Sequence, residues 1–541
     1  MCQLGKCSDP SIDSRTDKKG RPIDQAVPKT RRGKRDQNDV WLRQQKPLAG
    51  GITGRTGGTK KKKVKKESAA LRKHGKDSPS GGIEAMLPSL IGVGILVFAV
   101  MAQQGFRGRA SVAGIDLGTT NSVICVQAPS KGVGEIDCIS DPESGSAIIP
   151  SVVSFLEPHE RKIGPYSKIA SSLVPHPSHV VVGSRAKHRI DSHPTHTLYH
   201  AKRVLGRPAD DPAIAELNQE VEYKMIQGTI EDEGVMFQVN GHIISPRQVG
   251  SYVVFHLLQI AKTFLGHDNI KSAVLAVPAK FDTRQRQLTM EAFQQAGVKI
   301  SRVLEEPSAA ALAYGLHKKE GVEKILVYDF GGGTLDVSIL HISEGYVEVM
   351  GSDGDDRLGG ANFDGAVANL LLRQHQQILS DIDAAGVNVE ELSLSCPQVS
   401  NDVPLCTISS FHTLGERMKI ALSGMERVKS SCLSLPSMKQ PHGESRDFSC
   451  EDLVKQDLEL SLDDYNAAVK PLFDRSLIPI TRLMDDLTLE ADDIQEIVMV
   501  GGTTRMPQIR KLVSEAFGSA QLNTHIDPDI TVAYGAASVV D

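Results

Sequence analysis

Two segments of the sequence place an aspartate, a glycine turn and hydroxyl side chains at the end of an apolar strand. The first is GIDLGTTNSV, in which Asp116 precedes the turn Gly118–Thr120. The second is VYDFGGGTLDV, in which Asp329 precedes the turn Gly331–Thr334. Glycines allow successive backbone N–H groups to approach an anion, and threonine hydroxyls add further donors. Both segments therefore predict turns that hold phosphate oxygens.

The two aspartates indicate a metal ion at the same site. A carboxylate next to phosphate oxygens is repelled unless a cation lies between them. Mg²⁺ gives up its water ligands reluctantly, so Asp116 and Asp329 are expected to contact it mostly through water. One glycine hairpin alone is commonly only a turn, but this pattern occurs twice. The repeat predicts an internally duplicated domain with one phosphate turn in each half.

Composition excludes several classes of protein. The chain has 541 residues, of which 40% are hydrophobic and 23% charged, enough for about two to four domains rather than a disordered tail or a disulfide mini-protein. Its eight cysteines include no C-x-x-C pair, which disfavours a zinc module. Neither a G-x-x-x-x-G-K-[ST] loop nor a G-x-G-x-x-G turn after a strand is present, which disfavours P-loop and Rossmann folds.

The first 85 residues differ in charge from the rest of the chain. They contain 22 Lys/Arg and 9 Asp/Glu, whereas the other residues contain 39 and 57. Residues 1–85 show no apolar periodicity and are predicted to be disordered. The run KKKKVKK at residues 60–66 is interpreted as solvated charge, because no nucleic-acid module or interleaved aromatic residue accompanies it. No nucleic-acid partner is therefore predicted.

An apolar segment at residues 86–102 follows this basic region. It includes thirteen consecutive apolar or glycine residues from Leu90 to Ala102 and is shorter than the ~20 residues of a spanning helix. The segment favours a signal peptide cleaved before Gln103, or a signal-anchor, over a buried core helix. Residues 103–110 are predicted to form a linker. Either signal predicts that the folded part enters the endoplasmic reticulum lumen, in the microsomal fraction, with no other membrane contact.

Eight ordered motifs from Ala113 to Asp541 resemble the heat-shock 70 chaperone family, within the actin-like ATPase superfamily. They are GIDLGTTNSV, HAKRVLG, AVPAKFDTRQRQ, EEPSAAALAYGL, VYDFGGGTLDVSIL, RLGGANFD, VGGTTRMPQIR and DPDITVAYGAA. The resemblance implies a two-lobed α/β fold of the actin-like, ribonuclease H-like type over residues 111–541. Lobe I would span about residues 111–320 and lobe II about 321–505, with closing helices in 506–541 returning to lobe I. No β-sandwich peptide-binding domain is expected, as in a truncated microsome-associated member of the family.

The resemblance also implies catalytic residues, with ATP/ADP and Mg²⁺ as cofactors. Lys202 would orient the attacking water and neutralise charge on the γ-phosphate, and Asp329 would orient water or act as a weak base. Glu306 would contact the water shell of Mg²⁺. Pro278 and Arg286 correspond to a relay towards a partner domain. The complete catalytic set is Asp116, Lys202, Glu306, Asp329 and Thr334, and the metal set is Asp116, Glu306 and Asp329.

A second group of residues is implied to bind the nucleotide. The ribose would lie near Glu416 and Lys419, and Arg505 would stack on the base. Family members usually have an arginine where this chain has Ile420, and an aromatic or similar residue where it has Asn121; both differences predict weaker adenine binding. The full set is Gly118, Thr119, Thr120, Asn121, Gly331, Gly332, Gly333, Glu416, Lys419, Ile420, Ser423, Gly501, Gly502, Arg505, Met506 and Asp529.

Three functions fit these features. The first is slow, Mg²⁺-dependent ATP hydrolysis by a monomeric chaperone-related ATPase. The second is a nucleotide-switched binding module with incidental turnover, and the resemblance suggests co-chaperones, exchange factors or ubiquitin-like adaptors as partners. The third, a sugar or small-metabolite kinase, is disfavoured because EEPSAAALAYGL and GGTTRMPQIR match the chaperone pattern more closely.

Four cysteines lie in the most divergent stretch, residues 393–457. Three connectivities are open if Cys396, Cys406, Cys432 and Cys450 all form disulfides, and free thiols are an equal alternative.

Overall fold

The computed structural model describes residues 112–127, 135–158, 160, 171–190, 193–228, 234–376, 396–400, 402–435, 450–518 and 520–539. The predicted basic segment 1–85, apolar segment 86–102 and linker 103–110 lie outside these residues. Among the residues described, no helix is both long and apolar enough to cross a membrane.

Lobe I is built on a mixed sheet whose central strands are buried. Its strands and those of two small sheets are β1 (Val112–Leu117), β2 (Asn121–Gln127), β3 (Ile136–Cys138), β4 (Ile149–Pro150), β5 (Val153–Phe155), β6 (Val180–Val182), β7 (Thr197–Leu198), β8 (Lys224–Gln227), β9 (Val235–Val239), β10 (His242–Ile244), β11 (Ser272–Val277) and β12 (Lys299–Glu305). The main sheet has the order β12-β11-β1-β2-β3, with β4 beside β2. The small sheets have the orders β6-β5-β7 and β10-β9-β8.

In the described part of lobe I there are six α-helices. They are α1 (Ser184–Lys187), α2 (Ala201–Val204), α3 (Pro212–Glu220), α4 (Pro246–Leu265), α5 (Thr283–Gln295) and α6 (Glu306–Ala313). Ser245 begins α4 with a reciprocal capping box to Gln248, and a proline occupies the first position. Helix α6 follows β12 without a loop, so its first residue, Glu306, lies at the carboxyl end of a sheet strand. Ligands of open α/β sheets bind at this edge.

Lobe II repeats the strand arrangement of lobe I. Its strands are β13 (Lys324–Phe330), β14 (Leu335–Ser343), β15 (Tyr346–Asp355), β16 (Arg427–Ser434), β17 (Val454–Ser461), β18 (Glu496–Val500) and β19 (Gln521–Asn523). The main sheet has the order β15-β14-β13-β18-β19, and β16 and β17 form a separate ribbon. β13 pairs with antiparallel β14 and parallel β18, as β1 pairs with antiparallel β2 and parallel β11. The predicted duplication is therefore present in the topology.

The helices of the second half divide between the lobes. They are α7 (Gly360–Gln374), α8 (Ile408–Leu422), α9 (Leu462–Asp486), α10 (Pro507–Phe517) and α11 (Thr531–Ser538). Helix α10 buries Ile509, Val513 and Phe517 in the core of lobe II, and β19 extends the lobe II sheet. Within the predicted closing segment 506–541, the chain therefore returns to lobe I only at α11.

Helix α11 packs between the lobe I sheet and helix α6. A Cβ added to Gly535 would collide with the carbonyl of Ala309 on α6, and one added to Gly114 on β1 would collide with the backbone of Ala537. Small residues on all three elements allow this close packing. Ala533 and Ala537 also form a buried cluster with Val123 of β2. Helix α11 thus fixes the position of α6 against the sheet.

Three disulfides connect the cysteines of the described part. Cys396 pairs with Cys450 and Cys406 with Cys432, which is one of the three connectivities left open by the sequence. The third pair, Cys125–Cys138, joins two residues that face each other on β2 and β3. This third pair had no sequence signal, because only the register of the two strands brings the cysteines together.

Candidate nucleotide-binding site

The two phosphate turns face each other across the cleft between the lobes. The first turn connects β1 to β2, and the second connects β13 to β14. A Cβ added to Gly332 in the second turn would lie 2.9 Å from Thr120 Oγ1 in the first. Both turns line one cavity of about 900 Å³. The duplication read from the sequence thus becomes a pair of opposed turns.

Every residue predicted for catalysis or nucleotide binding lines this cavity. The set comes from seven segments of the chain in both lobes, and the first and last residues are 413 positions apart, at Asp116 and Asp529. Their placement is observed, and their individual roles stay predictions.

A buried ion pair lies between the two turns. Lys202 Nζ donates to Glu306 Oε1 at 2.8 Å, and the side chains are only 11% and 13% exposed. Helix α2 carries Lys202 and begins after His200, a non-glycine residue with φ of 58°. Burial alone would lower the pKa of Lys202, but attraction by Glu306 and Asp116 outweighs burial and raises that pKa. Lys202 therefore remains an ammonium ion in the cleft.

The aspartates that precede the two turns, Asp116 and Asp329, both have raised pKa values. Burial and repulsion by Glu306 raise the pKa of Asp116 to about 7, although Lys202 partly opposes them. Burial raises the pKa of Asp329 well above its usual value, and repulsion by Glu306 and Asp336 adds to this effect. Carboxylates in this state favour a nearby cation.

Unsatisfied polar atoms test whether the site fits Mg²⁺ and phosphate. Among the described residues, Asp116 Oδ1 and Thr120 Oγ1 are buried without a hydrogen-bond partner. Buried polar atoms are normally paired, so these two atoms are placed to contact a ligand or its bound water. No set of three or more His, Cys, Asp or Glu side chains in the described ranges is placed to hold a metal by itself. The residues fit a hydrated ion shared with phosphate oxygens better than a closed protein cage.

Helix α8 lines the part of the cavity where the base is predicted to bind. Lys419 Nζ lies 2.7 Å from Asp364 Oδ1, and Glu416 Oε2 lies 3.7 Å from Lys187 Nζ of lobe I. Ile420 on the same helix is 62% exposed. This part of the cavity therefore offers both charged groups and an apolar surface.

Arg505 faces α8 from the turn after β18. Its Nη2 donates to Asp529 Oδ2 at 2.8 Å, and it also bonds Asp527. The Asp529 carboxylate thus holds the Arg505 guanidinium in place and also lines the cavity. Its predicted contact with the nucleotide stays a prediction.

The predicted relay residues lie at the turn after β11, where Pro278 lines the cavity and Arg286 contacts the turn from outside the lining. Pro278 begins a turn after β11, and Arg286 on α5 ties that turn to the end of β12. Arg286 Nη2 donates to Ala279 O at 2.9 Å and to Glu305 Oε1 at 2.8 Å. Glu305 immediately precedes Glu306, so Arg286 connects this turn to the acidic site.

Comparison with known protein families shows which family the chain belongs to. The family model described as Hsp70 protein matches residues 112–178, 168–401 and 408–541.

The chain belongs to the Hsp70 family.

The family predicted from the sequence motifs is therefore confirmed. Chaperone protein dnaK1 from Synechocystis sp. is 32% identical over 426 residues, which cover 79% of this chain and 53% of the relative. The chain thus spans about half the length of the curated relative that it matches. Hsp70 proteins are ATPases that bind ATP and co-chaperones.

Charged residues that the motif reading did not select also line the cavity of this Hsp70 chain. Lys280, Arg207, Asp336 and Asp356 are examples. Asp336 could have been found, because it follows the second glycine turn by two residues and faces Asp329 in the strand register. Lys280 could not be selected from the sequence, because its ion-pair partner, Asp336, comes from the other lobe.

Proposed function

We propose that the chain binds ATP with Mg²⁺ in this cavity and hydrolyses it slowly to ADP and phosphate. The observation that carries this proposal is the opposed pair of phosphate turns with the Lys202–Glu306 ion pair between them. Phosphoryl transfer to water requires mainly positioning and charge stabilisation, with little covalent chemistry from the protein. The site supplies both without a nucleophilic side chain.

The catalytic residues divide the work in this proposal, and Glu306 and Asp329 each serve two purposes. The backbone of Gly331–Thr334 binds phosphate oxygens, and Thr334 adds a hydroxyl donor. Lys202 neutralises charge that develops on the phosphate, and its bond to Glu306 fixes the ammonium. Asp329 orients the attacking water. Asp116, Glu306 and Asp329 would hold Mg²⁺ mostly through water, and the ion would neutralise phosphate charge when bound.

Phosphate release from ATP by the purified full chain tests this proposal. We expect slow release without any added metabolite, with loss of release when Mg²⁺ is chelated. A rate that rises only with an added sugar would instead support the kinase hypothesis. No release with intact ATP binding would favour the nucleotide-switched binding module.

Ion pairs across the cleft favour the binding module as a second candidate. Arg207 Nη2 donates to Asp356 Oδ2 at 2.9 Å, and Arg357 Nη1 donates to Glu216 Oε1 at 2.7 Å, in each case joining the two lobes. Bonds of this kind can couple lobe closure to a ligand in the cleft. Co-chaperones, exchange factors and ubiquitin-like adaptors are the proposed partners. Pull-downs with ATP and with ADP should recover different partners, and identical recovery would count against a switch.

The disulfides support a proposed location in the secretory pathway, as for a truncated microsome-associated Hsp70. Six of the eight cysteines form pairs in the described residues. Disulfides persist in oxidising compartments and are rare in the cytosol. Protease protection in isolated microsomes and N-terminal sequencing of the native protein test this proposal. A protected chain that begins at Gln103 is expected, and a protease-accessible, fully reduced chain would contradict it.

A further inference from the structure

We infer that Lys280 is a positioning residue for hydrolysis, acting through Asp336 on the second phosphate turn. The inference rests on the proposed ATPase function and adds a residue from lobe I to the control of a turn in lobe II. The inference follows from the register of strands β13, β14 and β15, from one position on that sheet that carries no side chain, and from the lysine side chain that occupies the space there.

Asp329, Asp336 and Gly354 form one row across strands β13, β14 and β15. Asp329 is paired with Asp336, and Asp336 is paired with Gly354, in antiparallel register. Residues directly opposite each other in antiparallel strands project from the same face, where like charges repel. Two carboxylates are therefore neighbours on one face, and the third position of the row carries no side chain.

Lys280 fills the space at this third position. Its Nζ lies 3.2 Å from Asp336 Oδ1, and a Cβ added to Gly354 would collide with the same ammonium. Lys280 belongs to the turn after β11 in lobe I, whereas Asp336 and Gly354 belong to lobe II. The ion pair therefore crosses the cleft to the face of the lobe II sheet that carries Asp329 and Asp336, next to the acidic site.

The charge of Lys280 is placed where the acidic site lacks compensation. Lys202 contacts Glu306 and attracts Asp116. Asp336 is repelled by Glu306 and is attracted by Lys280. Lys202 thus compensates the charge of Glu306 and Asp116, and Lys280 compensates the charge of Asp336. Both lysines belong to lobe I.

The position of Asp336 controls the second phosphate turn. Asp336 is two residues beyond Thr334, at the start of β14. Within lobe II, Gly331 N donates to Thr334 O at 3.0 Å and Thr503 Oγ1 donates to Gly331 O at 2.9 Å. The Lys280–Asp336 pair adds a connection to the lobe that carries Lys202. It thereby sets the turn at a defined distance from the catalytic lysine.

Lys280→Met tests the inference, because methionine keeps an unbranched side chain and removes the charge. Single-turnover hydrolysis should fall by about tenfold to hundredfold, since a displacement of about 1 Å at a reacting group has effects of this size. ATP affinity should change by less than roughly threefold, because the interaction serves the reaction and not ground-state binding. Lys280→Arg should recover part of the rate. If Lys280→Met unfolds, Lys280→Gln provides the same measurement.

Lys319→Met is the matched control, because it also removes the ammonium of a lysine that forms an ion pair. Lys319 bonds Glu496, and neither residue lines the cavity. Its single-turnover rate should stay within about twofold of wild type. A wild-type rate in Lys280→Met, or an equal loss in Lys319→Met, would overturn the inference.

A double variant separates action through Asp336 from an independent effect. If Lys280 acts through Asp336, adding Lys280→Met to Asp336→Asn should lower the remaining rate by less than about twofold. Full additivity of the two changes would refute the assignment. Absence of hydrolysis in the wild-type chain would refute the proposed function itself, whereas normal wild-type hydrolysis with no effect at Lys280 refutes only this inference.

Discussion

Replacement of Lys202 by alanine is expected to stop hydrolysis while ATP still binds. The Lys202 ammonium lies 2.8 Å from Glu306 in a cleft where both side chains are nearly buried. Removing one preorganised group that stabilises transition-state charge typically costs about 10²–10³ in rate, or about 3–4 kcal/mol in activation free energy. Backbone N–H groups of both glycine turns remain in the variant. ATP affinity should therefore fall much less than the rate.

The same substitution should also lower the free energy of unfolding. Removing one partner of a buried ion pair costs about 3–5 kcal/mol, because the other charge stays buried without compensation. Asp116 reduces this loss, since its pKa of about 7 allows it to take up a proton when the ammonium is removed. We therefore expect a value near the lower end of that range.

Two measurements check this prediction. Single-turnover hydrolysis with the protein in excess over ATP gives the rate, and a nucleotide titration gives the affinity. Lys319→Ala is the control, because Lys319 bonds Glu496, which is 4% exposed, and neither residue lines the cavity. The control should lose stability and keep its hydrolysis rate. A folded Lys202→Ala variant that hydrolyses ATP within about threefold of wild type would refute the assigned role.

Three further predictions follow from the structure. Affinity for ATP with Mg²⁺ should weaken as the pH falls through about 7, because protonated Asp116 cannot attract the ion. The free energy of unfolding without ligand should instead fall as the pH rises from about 4 to 7, because the folded state holds the Asp116 proton more tightly than the unfolded state. Binding and unfolding measured against pH for wild type and Asp116→Asn check both effects. Ile420→Arg should strengthen ATP binding by about twofold to thirtyfold, measured by calorimetry, through stacking on the base. Cys406→Ser should cost about 3 kcal/mol in urea unfolding, because the Cys406–Cys432 disulfide closes a 26-residue separation, and an unchanged midpoint would contradict this.

Local motifs predicted much of the fold and of the candidate site. The turn after β1 and the turn after β13 are each encoded within about ten consecutive residues, because glycines and hydroxyls must be adjacent to bind one phosphate. Topology then placed the two turns face to face, as the repeated pattern had indicated. The family resemblance supplied the distant residues, such as Lys202 and Arg505, that line the same cavity.

Interactions between the lobes could not be predicted in this way. The Lys280–Asp336 pair depends on the relative placement of two sheets, and no local pattern in the sequence links the two residues. The Cys125–Cys138 disulfide depends on the register of β2 and β3, which the short strand Ile136–Cys138 does not reveal in its sequence. The assignment of α10 to lobe II could not be predicted either, because the apolar face of a helix does not by itself show which lobe the helix packs against.

Helix α11 links the order of synthesis to the appearance of nucleotide binding. The ribosome releases β1 and β2 long before residues 531–538. Ala533 and Ala537 of α11 nevertheless cover these strands, and Gly535 packs closely against the helix that begins with Glu306. A growing chain must therefore keep an uncovered apolar surface until α11 emerges, which exposes it to aggregation and to holding chaperones. Stalled nascent chains should acquire ATP binding abruptly, at the length that frees α11 from the exit tunnel.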